Sequence, residues 1–116
     1  MDRKKELKEQ YKMMKPDMGL FVIKSKFENK CYIEGTQNIK GAINGTVFKL
    51  NFGNHPNKEL QRAWTERGEN SFTIEILEKL EYDEDETKTD YSEELEILEL
   101  EWKDNLRKEG MDFYRK

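Results

Sequence analysis

The chain has a single cysteine, Cys31, so no internal disulfide can hold it together. It has no run of roughly eighteen apolar residues that would cross a bilayer, and no charged-then-apolar leader. A cytoplasmic protein with no membrane partner is therefore expected. Apolar residues are scarce, 34% against 40% charged, and spread evenly they would leave a chain disordered. They are instead gathered into segments with helix or strand periodicity, and the charges lie mostly outside them. With 116 residues there is room for one domain around one modest core. No repeat or low-complexity tract interrupts it.

The net charge of −4 argues against a protein that coats nucleic acid without selection, but the charge is unevenly placed. Residues 1–62 carry 13 Lys/Arg and 7 Asp/Glu, whereas residues 63–116 carry 8 and 18. Charged helix faces mixing on one surface account for such a split, and so does a basic side that faces phosphate.

Met1 to Lys15 places Leu7, Tyr11 and Met14 on one helical stripe before Pro16, which predicts an amphipathic N-terminal helix over residues 1–17, ahead of a domain at 18–116. Gly19–Lys24 is an apolar run too short for such a helix. Lys30–Thr36 follows a polar turn, and Phe72–Leu80 alternates with period two. The three predict one antiparallel sheet, the first two strands as a hairpin. Residues 38–52 are ambiguous, since Ile39 and Ile43 suit a helix while Gly41 and Gly45 each weaken it by about 1 kcal/mol. A second helix is expected from Pro56 to about Glu66, burying Leu60, Ala63 and Trp64. The acidic stretch from Tyr82 to Asp90 reads as a solvated loop. The fold class is a small α+β domain, a three-stranded antiparallel sheet flanked by helices.

The last helix, about Ser92–Lys108, carries a feature that solubility does not explain. Taking Leu95 as zero, Leu98, Trp102 and Leu106 fall within about 60° of it, and Glu99 lies at about 40°, inside the apolar stripe. A carboxylate turned inward needs a cation, a metal or a proton, or a stem that packs while its head reaches water.

Gly19-Leu20-Phe21, then Tyr32-Ile33-Glu34 after a hairpin, then His55-Pro56-Asn57 and an inward Glu99, stand in an order that resembles the GIY-YIG nuclease superfamily. The resemblance runs over roughly residues 18–107 and implies a metal-dependent endonuclease acting on DNA phosphodiesters. It casts Tyr32 as the group that activates the attacking water, His55 as a histidine near the scissile phosphate and Glu99 as the ligand of Mg²⁺ or Mn²⁺. Three positions depart from the family pattern. Phe21 replaces a tyrosine, Glu34 replaces a glycine, and Ala42 stands where the family has an arginine. Lys40 and Lys49 are the nearest replacements for that charge and candidate substrate-binding groups, although an ammonium does not reproduce a guanidinium fork. The same resemblance accommodates two readings: a slow or dead nuclease with a degenerate active site, and a non-catalytic module that keeps the fold to bind nucleic acid or a protein. Nothing reads as a zinc finger or recognition helix, so target specificity would come from DNA shape, a protein partner or a homo-oligomer.

Overall fold

The computed structural model describes residues 15–115. The predicted N-terminal helix lies outside the described residues apart from Lys15–Asp17, which are not helical. Strands β1 (Met18–Ser25) and β2 (Lys30–Thr36) form the expected hairpin and are followed by helices α1 (Ile39–Phe52) and α2 (Lys58–Arg67). A short 3-10 turn leads into β3 (Phe72–Leu80), then α3 (Ser92–Lys108) and β4 (Asp112–Phe113). Among the described residues, no helix is long and apolar enough to cross a membrane.

The sheet has four strands, not three, in the order β3-β1-β2-β4. The fourth pairs parallel to β2 through only two residues, Asp112 opposite Lys30 and Phe113 opposite Cys31. It is held by N–H groups of Asp112 and Tyr114 donating to the carbonyls of Asn29 and Cys31. Two residues show no periodicity, which is why the sequence alone does not reveal this strand. Because β4 ends there, residues 32–36 of β2 have no strand beside them on that side among the described residues.

Strand β1 is central and its first six residues are buried, so its alternating side chains feed two separate cores. Phe21 and Ile23 meet Leu50, Leu60, Trp64 and Phe72 beneath α1 and α2. Leu20 and Val22 meet Cys31, Ile33 and Leu106 beneath α3. Each fully buried side chain of this size contributes about 1.5–3 kcal/mol relative to exposure, so the helices are fixed to opposite faces.

Residues 38–52 resolve to a single helix despite their two glycines. Asn38 caps it by accepting the Gly41 N–H at 3.0 Å, and Gly53, at φ 77°, ends it in the left-handed conformation. Gln61 and Trp64 lock α2 to it: Gln61 Nε2 donates to the Leu50 carbonyl at 2.9 Å, and Trp64 Nε1 to Asn51 Oδ1 at 2.9 Å.

Candidate active site

Tyr32 and Glu34 are two residues apart on β2 and so share the face that carries Ile23 and Phe21, their cross-strand partners. Glu99 comes from α3 on the opposite face. They meet because β4 stops short: around the open edge of β2 lies a cavity of about 380 Å³ lined by Tyr32, Glu34, Asn57, Glu99, Lys103 and Tyr114 among others. The start of α3 is pinned beside that edge by Gln37. Its Nε2 donates to the Thr89 carbonyl at 2.9 Å, and its Oε1 accepts the Tyr91 N–H at 3.1 Å. Glu99 also lines an adjoining hollow with Gly35 and Leu95.

The inward Glu99 has found a cation, Lys103, 3.5 Å away one helical turn on. Lys103 was legible: at about 80° on the same wheel, it stands next to Glu99. Tyr32 donates its hydroxyl hydrogen to Glu34 Oε1 at 2.7 Å. Burial, that bond and the charges of Glu34 and Glu99 all push its pKa far above the ordinary tyrosine value. Tyr32 is held as a neutral phenol.

His55 is buried, with its ring edge-on to Tyr32 at 5.2 Å between centroids. Its Nδ1 accepts the Asn57 N–H at 3.0 Å, leaving Nε2 to carry the proton of the neutral ring. Asn57 also caps α2, accepting the Leu60 N–H, and its Nδ2 donates to the Tyr114 carbonyl. This buried residue, unremarked in the sequence except as part of a motif, joins the histidine loop to the chain after β4. Burial, and secondarily Lys49, lower the His55 pKa against a smaller upward effect of the Asn57 bond. Between the lowered folded value and the unfolded value of about 6.5, the unfolded chain binds more protons. His55 stability is therefore complete above about pH 6.5 and is lost as pH falls. Urea unfolding midpoints measured across this window should rise with pH in the wild type and rise less in His55→Gln. Equal slopes would show that His55 is not the titrating group.

The other candidates separate. Phe21 is fully buried in the core under α1 and α2 and does not line the cavity. Ala42 packs, like Tyr32, against that same core. Lys49 is exposed near His55, whereas Lys40 lines a larger hollow of about 570 Å³ beside Ile76 of β3, at the other edge of the sheet. That larger hollow contains none of Tyr32, His55 and Glu99.

Among solved structures, the catalytic domain of homing endonuclease I-TevI superposes with a TM-score of 0.64 at 26% identity, covering 78% of this chain and 88% of that one. The chain has the GIY-YIG nuclease fold. A point variant of the intron endonuclease I-TevI catalytic domain gives a TM-score of 0.52 at 28% identity, over 69% of this chain and 84% of that one. No family profile matches the sequence, and no curated protein does.

The GIY-YIG fold implies a divalent ion, and the oxygens of Glu99 and Glu34 are hard donors of the type Mg²⁺ and Mn²⁺ take. Among the described residues no three His, Cys, Asp or Glu side chains form a metal-binding group. The two carboxylates lining the cavity, Glu99 and Glu34, are engaged by Lys103 and Tyr32, so an ion held there would keep most of its waters and compete with Lys103 for Glu99.

Proposed function

We propose that this chain is a divergent nuclease-like domain that engages DNA at the open edge of β2, takes Mg²⁺ or Mn²⁺ at Glu99, and hydrolyses phosphodiesters poorly. The observation that carries this is the convergence of Tyr32, Glu34, Glu99 and Lys103 on one cavity in a nuclease fold. The charged side chains lining it are two carboxylates and one ammonium, a net negative charge that repels a phosphodiester until a cation is added. A bound divalent ion supplies that charge relief and polarises the phosphoryl oxygen.

The residues in place explain slow chemistry. Tyr32 commits its proton to Glu34 and does not take one from water. Ala42 offers no cation to the developing charge, and the Lys103 ammonium is already engaged by Glu99. A missing transition-state donor costs about 10²–10³ in rate. The same lock on Tyr32 favours a second reading, a module that binds nucleic acid without cutting it.

Calorimetric titration with Mn²⁺ tests the site directly. The wild type should bind one ion, and Glu99→Gln should weaken binding at least about tenfold, since it removes the charged donor. Unchanged binding in Glu99→Gln would end the assignment of the metal to this cavity.

A further inference from the structure

Helix α1 differs from the rest of this acidic protein. No Asp or Glu occurs between Glu34 and Glu59, so α1 carries Lys40 and Lys49 with no carboxylate of its own. Lys24, Lys30, Lys79, Lys88, Lys103 and Lys108 each pair with a carboxylate, whereas Lys40 and Lys49, like Lys26 and Lys58 elsewhere, pair with none among the described residues. On the same helix Phe48 and Phe52 are 61% and 70% exposed, one turn apart, with ring centroids 4.5 Å from each other. Phe27, another exposed aromatic side chain, instead lies beneath the Arg67 guanidinium.

Going round α1 from Ala42 in one direction, Lys49 comes at about 20°, Phe52 at about 80° and Phe48 at about 120°. A cation thus stands between the core-packed Ala42 and the aromatic pair, and Gly45, with nothing within 4 Å of the position a Cβ would take, leaves the strip open. We propose that Phe48 and Phe52 form a stacking platform for an unpaired base of a DNA strand whose backbone is neutralised by Lys49. The inference rests on the reading of this domain as one that engages DNA, and adds that the DNA is single-stranded where it crosses α1. Exposed aromatic rings beside an unpaired lysine suit a strand with free bases, because every base offers a π-face and every link a phosphate. Duplex DNA keeps its base faces stacked and would leave the two rings unused. A second copy is disfavoured by charge: α1 against α1 would set lysines near lysines with no carboxylate on either helix to offset them.

Fluorescence anisotropy in metal-free buffer, so that no cleavage occurs, tests this with a labelled mixed-sequence single strand, its blunt duplex, and the duplex with a single-stranded tail. The wild type should prefer the single strand and the tailed duplex to the blunt duplex. Phe48→Ala/Phe52→Ala should lose about tenfold or more on the two probes with unpaired bases and little on the blunt duplex. Phe48→Leu/Phe52→Leu, apolar without a π-face, should lose similarly, and Phe48→Tyr/Phe52→Tyr should restore binding. Both side chains are exposed, so these variants should fold, which circular dichroism verifies. Equal wild-type affinity for all probes, a Leu variant that binds like wild type, or a dimer by sedimentation that the Ala variant dissolves would each overturn the platform and leave the nuclease-like reading standing. No binding to any probe would overturn the platform, and none after Mg²⁺ is added would overturn the DNA-engaging reading as well.

Discussion

Glu34→Gly combined with Ala42→Arg should raise Mg²⁺- or Mn²⁺-dependent DNA cleavage by about 10²–10³ over the wild type, the effect typical of one restored transition-state donor. The two changes act on one group from opposite sides. Glu34 raises the Tyr32 pKa twice, by accepting its proton and by its charge, and its removal leaves burial and Glu99 as the upward influences. Ala42→Arg would bring a guanidinium from a position that packs against the same core as Tyr32. That charge favours the phenolate and meets the phosphoryl oxygens. Phe21→Tyr is left out: at 0% exposure, a hydroxyl there would be buried in packed apolar core at a cost of about 1–3 kcal/mol if unbonded. Two readouts are needed. Phenolate absorbance against pH should titrate lower in the double variant, and cleavage should rise and vanish again on adding Glu99→Gln. A phenolate that titrates lower with no gain in cleavage would favour the non-catalytic module. Strong cleavage by the wild type, lost in Glu99→Gln, would show that Ala42 and Glu34 are tolerated.

Signals that repeat along the chain were legible, and those that depend on a neighbour were not. The period-two run at Phe72–Leu80 and the stripe of α3 name their elements because several residues agree. Helix α1 was obscured because Gly41 and Gly45 speak against helix locally, while the burial of Ile39 and Leu50 that overrides them is tertiary. In the site, Glu99 was visible as a charge in an apolar stripe, while its partner Lys103 was missed although the same wheel sets it beside Glu99. The bond from Tyr32 to Glu34 was implicit in two residues on one strand face, but whether they touch depends on side-chain rotamers that the pattern does not give. Lys40 was assigned to substrate from charge alone. Its direction round α1 is set by which face the core takes, and that face sends it to the β3 side.

Gly19→Ala should destabilise the fold by about 3 kcal/mol or more, or leave no soluble protein, the largest stability effect expected of any single substitution in the first tripeptide. Gly19 has φ 153°, a backbone region that side chains rarely adopt. A Cβ built on it would lie 2.0 Å from the Glu78 carbonyl oxygen and 2.8 Å from the Lys79 Cα. Both are backbone atoms of β3, which cannot step aside as a flexible side chain would. The approach is close because the β1–β3 register slips just there: Leu20 faces Glu78 and Phe21 faces Ile76, so Leu77 is the extra residue of a bulge. Relieving the clash means moving β3 away from the central strand and opening the contacts of Phe21 and Leu20 in both cores. The glycine is therefore a structural requirement, separate from the chemistry at Tyr32 and Glu99. Urea unfolding of Gly19→Ala beside Gly45→Ala makes the comparison, since a Cβ at Gly45 meets nothing within 4 Å and that helical substitution should stabilise by roughly 0.5–1 kcal/mol. A Gly19→Ala protein as stable as the wild type would mean that β1 and β3 do not meet in this register.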